Sequence, residues 1–343
     1  MEKRKRPRMV VMIPLRRCGS NALRLRLNLN PHFYSPYPLH VTDVSSFFES
    51  KDLRDDGIYR QLIRDVIGLQ ARSLIPWPAH IRLDSDLVFD RLRDEPCRSI
   101  HRVVGELIMI AGEARGASVV MDKSQDSVIH FEDIVKAFPD VLFLDMVRDP
   151  RAQVCSMNQS ILYDFETSLN LERWIESRRW VDRVRERYPD RVMTIRYEDF
   201  IADHETTLRR TCGFLGMPFC EEMLDITRSE EAEHMAALSP LWSSNFSSPN
   251  PYHVSKFKEI LTAKEMEEIE YRAGEWMHRL GYSSTESKMM TIKRRVFEKE
   301  GNEERKKETW KKLAEKHPED YQHRMHRMQY ISSLQTITTT KMV

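Results

Sequence analysis

Met9-Val-Val-Met-Ile-Pro-Leu-Arg-Arg-Cys-Gly-Ser-Asn21 decides the fold. The run Met9 to Ile13 is continuously apolar and ends at Pro14, which suits a strand buried on both faces of a parallel sheet better than a half-exposed one. A polar, basic loop follows, and Ala22-Leu-Arg-Leu-Arg-Leu-Asn-Leu29 supplies good helix formers up to a stop near Asn30-Pro31. Strand, basic loop and helix come in that order. The same alternation recurs downstream, with strands expected at Ser118–Met121, Val141–Val147 and Arg191–Arg196, and with a helix from about Leu171 to Tyr188 before the last of them. Strands alternating with helices predict an α/β fold of three layers, a central parallel sheet flanked by helices.

Outward from this frame, residues from about 40 to 115 are polar, helical in pattern and punctuated by prolines, and predict an insertion that shapes one side of a site. From Ser283 to Val343 the chain becomes dense in Lys, Glu, Arg and Met. That segment predicts a charged helical C-terminal extension of exposed helices and a frayed tail, available for a homo-oligomer contact. Residues 1–282 then form the main domain and 283–343 the extension.

Composition narrows the function classes. Among 343 residues, 54 Lys and Arg stand against 53 Asp and Glu, so a net charge of +1 gives no field to draw the protein to nucleic acid. Any anion site must be local. No apolar run reaches the roughly 18 residues of a membrane span, and the basic start lacks a signal-type apolar segment, so a cytoplasmic protein is expected. The five cysteines are scattered without a CxxC pair, which predicts reduced thiols and no zinc site.

The chemistry begins at the first loop. Arg17 to Asn21 lie where a strand feeds a helix, so free backbone N–H groups there can face an anion, with Gly19 allowing close approach and Arg17, Ser20 and Asn21 adding donors. An ordinary strand-to-helix turn carrying surface arginines has the same composition. The loop is not a Walker A sequence, since GxxxxGK[ST] is absent. A second basic element, Met146-Val-Arg148-Asp-Pro-Arg151-Ala-Gln-Val-Cys-Ser156, follows the third expected strand and opens a helix. Arg148 and Ser156 can converge on one phosphate beyond the strand ends, although a salt-bridged arginine before an Asp149-Pro150 cap accounts for the segment equally well.

Together these segments resemble the family of sulfotransferases that use 3'-phosphoadenosine 5'-phosphosulfate (PAPS), from Met9 to about Tyr282. Arg17-Cys18-Gly19-Ser20-Asn21 is similar to the family's Arg-Ser-Gly-Thr-Thr loop for the 5'-phosphosulfate, and Arg148 with Ser156 matches its pair for the 3'-phosphate. Asp122-Lys123-Ser124 resembles the block between them. Arg196-Tyr-Glu-Asp-Phe200 with Leu208–Phe219, and Ser255-Lys-Phe-Lys258 with Met277–Tyr282, resemble two later blocks. The resemblance implies a P-loop-like nucleotide-binding sulfotransferase fold, PAPS as co-substrate released as PAP, and no metal requirement. It further implies contact of Tyr197 with the adenine and of Lys256 with the 3'-phosphate. Cys18, Asn21 and Gln125 depart from the usual Ser, Thr and Pro, and Ser160 stands where some relatives carry a further arginine.

Sulfuryl transfer places charge on the oxygen that bridges to phosphate, so fixed cations there lower the barrier, and Arg17 and Lys123 are the candidates. The acceptor hydroxyl needs a base. In such relatives a carboxylate or histidine just after the first helix does this work, and here that segment is Ser35-Pro-Tyr-Pro-Leu-His40-Val-Thr-Asp43. His40 is the candidate base, with Asp43 and His130 as the other choices; Asp43 also fits an N-cap for a helix from Val44. The expected acceptor is a hydroxyl of a glycan, lipid or small metabolite. Two rival functions share the frame: a P-loop-type nucleotide kinase, and a non-catalytic scaffold that keeps the fold.

Overall fold

The apolar run of the first strand is explained by what lies on either side of it. In the computed structural model, which describes residues 6–13, 16–283 and 299–340, the strand β1 (Arg8–Met12) sends Met9 and Val11 into one core and Val10 and Met12 into another. Both faces are covered, so alternation of polar and apolar residues disappears. Helix α1 (Ser20–Leu27) follows, then β2 (Phe33–Tyr34), α2 (Asp56–Ala71), α3 (Ser85–Leu92), α4 (Ile100–Ala114) and β3 (Val119–Asp122). The chain continues through α5 (Phe131–Ala137), β4 (Leu142–Val147), α6 (Pro150–Asn158), α7 (Thr167–Arg187) and β5 (Val192–Arg196).

The five strands are parallel and ordered β2-β3-β1-β4-β5. β1 is central, and the chain runs out from it to one side before crossing to β4 on the other. Ligands of open α/β sheets bind beyond the strand ends at such a reversal. One face is packed by α2, α3, α4, α5 and α7 through residues such as Leu62, Val66, Leu107 and Val181. The opposite face is packed by Leu23 and Leu27 of α1 together with α8 (Tyr197–Ala202) and α9 (His204–Leu215), through Phe200, Leu208 and Leu215. The expected three-layer α/β architecture is therefore present. β2 was not expected, because two residues are too few to carry a periodic signal.

Past α9 come α10 (Glu230–Leu238), the short helices α11 (Tyr252–Ser255) and α12 (Phe257–Ile260), and α13 (Ala263–Arg279), whose N-terminus carries a capping box of Thr262 and Glu265. Helices α14 (Lys299–Lys316) and α15 (Pro318–Thr340) follow; the other parts of the expected extension, 284–298 and 341–343, lie outside the described residues. The expectation of exposed helices in this extension needs correction for α15. Asp320, Arg324, Arg327 and Leu334 are buried, and Tyr330 lies on α2 at Gly68, where an added Cβ would meet its hydroxyl at 1.9 Å. Among the described residues no helix is long and apolar enough to cross a membrane.

The segment from His40 to Phe48 also differs from expectation. No helix begins near Val44; Val41–Asp43 and Ser45–Phe47 are single 3₁₀ turns without side-chain caps. The Asp43 carboxylate instead faces Arg327 at 3.6 Å. Phe33, Tyr34, Tyr37 and Trp77 are core residues, and the Trp77 indole N–H donates to the Tyr37 carbonyl at 2.9 Å.

Candidate active site

The turn between β1 and α1 adopts a conformation that few residues allow. Gly19 has φ +92°, and an added Cβ would lie 2.3 Å from Cδ2 of Tyr197. Its absence lets the Tyr197 ring cover the turn, while Arg17, at φ +66°, reaches the left-handed region with a side chain. The turn aims the first N–H groups of α1 outward. Ser20 and Asn21 line the resulting cleft, whereas the Cys18 side chain is wholly buried in the core beneath it. Cys18, expected among the binding residues, therefore does not line the cleft. Gly19→Ala combines left-handed strain with overpacking and should cost about 2–4 kcal/mol. A fall in Tm of roughly 3–6 °C is expected for a chain of this size; an unchanged melt would mean that Tyr197 moves aside freely.

Arg148, at the carboxyl end of β4, holds the turn from the side. Its Nη1 donates to the Arg17 carbonyl at 3.1 Å and its Nη2 to the His253 carbonyl at 2.5 Å. The guanidinium lies 4.6 Å from the centre of the Tyr197 ring, and its buried Nε has no hydrogen-bond partner among the described residues. The cap at Asp149 and Pro150 is also real: Asp149 accepts from Arg151 N–H at 2.9 Å and pairs with the Arg151 guanidinium. Capping by Asp149 does not engage Arg148, whose side chain lines the cleft. Arg17 Nε donates to Ser156 Oγ at 3.1 Å, which brings the first loop onto α6. Ser160 is buried and does not line the cleft.

Lys123 follows β3 and is 3% exposed at the cleft wall. Burial, with the nearby charge of Arg24, pushes its pKa down from 10.5 to about 7, against the opposing pull of Cys18 and Asp122. Lys256, between α11 and α12, completes the far wall. Of the residues singled out in the sequence, Arg17, Gly19, Ser20, Asn21, Lys123, Arg148, Ser156, Tyr197 and Lys256 meet in this one cleft of about 300 Å³.

The three candidate bases do not line that cleft. His40 sits beside it in a left-handed turn at φ +51°, and its Nδ1 accepts a long bond of 3.4 Å from the Gln125 backbone N–H. That contact leaves the ring proton on Nε2. Burial and the charges of Arg327, Lys123, Arg16 and Arg324 hold its pKa well below 6.5. Thr42 Oγ1 donates to the Gln125 carbonyl at 3.0 Å, so the two segments are tied twice. His130 lies elsewhere, against His101 with ring centres 4.8 Å apart, in a separate hollow.

Sequence reading missed two parts of the cleft. Arg26, on α1, lines it while donating to the Leu224 carbonyl at 2.7 Å. The stretch Ser243-Ser-Asn-Phe-Ser-Ser-Pro-Asn250 supplies a polar wall, joined to the first loop by Arg17 Nη1 donating to the Leu241 carbonyl at 3.0 Å. Its four serines and two asparagines carry neither a periodic pattern nor a motif. Among the described lining residues, Arg17, Arg26, Lys123, Arg148 and Lys256 are cationic, and no Asp or Glu is present. Such a cleft can hold a ligand with more than one anionic group but offers no carboxylate to a divalent cation.

The family model of the "Sulfotransferase family" matches residues 8–221. The sulfotransferase domain from the Synechococcus PCC 7002 olefin synthase is similar in structure, with a TM-score of 0.58 at 21% identity, covering 82% of this chain and 98% of that one. The sulfotransferase domain from the curacin biosynthetic pathway superposes with a TM-score of 0.51 at 18% identity, covering 81% and 99%. No curated protein matches the chain.

Proposed function

Because the chain belongs to the sulfotransferase family, we propose that it transfers the sulfuryl group of PAPS to a hydroxyl of a glycan, lipid or small metabolite, releasing PAP and a sulfate ester. The observation that carries this reading is the cleft at the β1–α1 turn, with five cationic residues and no carboxylate among its described lining. In the reaction the acceptor oxygen bonds to sulfur as the bond from sulfur to the bridging oxygen breaks. The electron pair of that bond stays with the 5'-phosphate of PAP, and the hydroxyl proton passes to a base.

Each residue has a role in this reading. The turn Arg17–Asn21 holds the 5'-phosphosulfate with backbone N–H groups and the Arg17 charge. Lys123 faces the bridging oxygen, where its ammonium meets the charge that develops as the bond breaks. Arg148, Ser156 and Lys256 take the 3'-phosphate, and Tyr197 supports the adenine. His40 serves as base once its bond from Gln125 opens, and burial with the surrounding cations keeps the ring unprotonated at neutral pH. The kinase reading lacks support because no acidic partner for a nucleotide-bound magnesium ion lies among the described residues lining the cleft.

The experiment follows a radiolabelled sulfuryl group from PAPS onto panels of oligosaccharides, hydroxylated lipids and small alcohols or phenols. Label transfer to one panel, with equal release of PAP, is expected. Release of PAP only to water, or no release, would count against the reading and favour the scaffold. With the acceptor so identified, His40→Gln should lower kcat about 10²–10⁴-fold. The wild-type rate should fall as pH drops through a limb below pH 6.5, since a base acts only when unprotonated. Retention of that limb in His40→Gln, together with its loss in Asp43→Asn, would move the role to Asp43.

A further inference from the structure

Helix α15 lies wholly outside the residues matched by the family model, yet it contacts both loops beside the cleft. Asp320, Arg324 and Arg327 recur at helical spacing on one buried face. Ser239 Oγ donates to Asp320 Oδ2 at 2.6 Å, and Arg324 pairs with Asp320 at 2.8 Å. The Arg324 guanidinium is 5.6 Å from the ring centre of Trp242, which lines the cleft and meets Tyr37 edge-on at 5.8 Å. Arg327 Nη2 donates to the Leu39 carbonyl at 2.5 Å and faces Asp43 at 3.6 Å. The turn between Leu39 and Asp43 is the one in which His40 adopts φ +51°. A non-glycine residue persists there only when its surroundings fix the turn. Farther along, Tyr330 OH donates to the Asp65 carbonyl at 3.2 Å and anchors α15 on α2.

We infer that α15 braces the acceptor side of the cleft, with Arg327 as the positioning residue for the His40–Asp43 turn and Asp320 as that for the Ser239–Trp242 wall. The term acceptor side rests on the sulfotransferase reading; the bracing does not. Buried charged hydrogen bonds act over short distances and with defined direction, so the helix fixes both loops relative to α2, on which it is anchored. His40 is faced by Arg327 and Arg324 from α15, by Lys123 beyond β3, by Arg16 from the first loop, and has Asp43 on its own turn.

The test uses the full chain with isotope-labelled histidine, comparing wild type, Arg327→Gln and Arg327→Lys. Arg327→Gln should raise the His40 titration midpoint observed by NMR and speed amide exchange from His40 to Val44 by about 10-fold or more, as expected for loss of a charged hydrogen bond. Arg327→Lys keeps the charge and should hold the midpoint near the wild-type value. Midpoint and exchange both unchanged in Arg327→Gln would overturn the inference. If Arg327→Gln fails to fold, Ser239→Ala removes the Asp320 contact together with the 3.4 Å bond from the Leu241 N–H, and should speed exchange beyond that direct contact, at Trp242–Asn245; no change there would overturn it instead. PAP affinity, measured on the same samples by calorimetry, separates the two claims. Wild type that fails to bind PAP removes the nucleotide reading and leaves the titration result standing.

Discussion

Arg148→Ala is expected to weaken PAP binding by about 10- to 10²-fold while leaving ADP binding within a few-fold. A charged hydrogen bond to a buried anion contributes about 1.5–3 kcal/mol, and each 1.4 kcal/mol is a factor of ten. ADP has no 3'-phosphate, so it loses none of this. Arg148 also donates to the Arg17 and His253 carbonyls, and its removal loosens the turn and the His253 segment together. Arg148→Lys separates the two effects, since it keeps a charge but not the fork that reaches both carbonyls. Isothermal titration with the two nucleotides measures the ratio. Equal weakening of PAP and ADP would show that Arg148 supports the loop without reading the 3'-phosphate.

Lys123→Ala should lower kcat by about 10²–10³-fold, the usual effect of losing one preorganised donor at the site of developing charge. The depressed pKa adds a second signature. At pH 8 a group with a pKa of about 7 is mostly neutral in the free protein, and a bound anion favours its protonated form. Binding of PAP at pH 8 should then take up about one proton, because the phosphate groups are already ionised above their second pKa near 6. Affinity should correspondingly fall as pH rises above 7. Calorimetry in two buffers of different ionisation enthalpy reads the uptake directly. Persistence of the same uptake in Lys123→Ala would assign the proton to another group.

The fold was legible because β1, β3 and β4 are buried on both faces, so their apolar runs stand out against polar helices. Gly19, Arg148 and Ser156 were legible because a strand-to-helix turn is local, and eight positions of chain are enough to place a serine two turns into the following helix. The expected N-cap at Asp43 failed for a physical reason: its carboxylate faces Arg327, far away in sequence. The same distance hid the role of α15. The bond from Arg327 to the Leu39 carbonyl spans 288 positions, and no periodicity in either segment announces it. The polar wall at Ser243–Asn250 and the cleft-facing side of Arg26 were hidden similarly, since each is placed by contacts with remote carbonyls rather than by its neighbours.

The central claim is that the cleft at the β1–α1 turn recognises a nucleotide carrying a separate 3'-phosphate and does so without a divalent cation. Thermal unfolding of the wild-type chain with PAP, ADP or ATP, each in magnesium or in a chelator, tests it most directly. At 100 times its dissociation constant a ligand adds about 2.7 kcal/mol of stability, and PAP should do so equally with and without magnesium and at concentrations where ADP does not. Stabilisation by ATP only when magnesium is present, with none from PAP, would contradict the account.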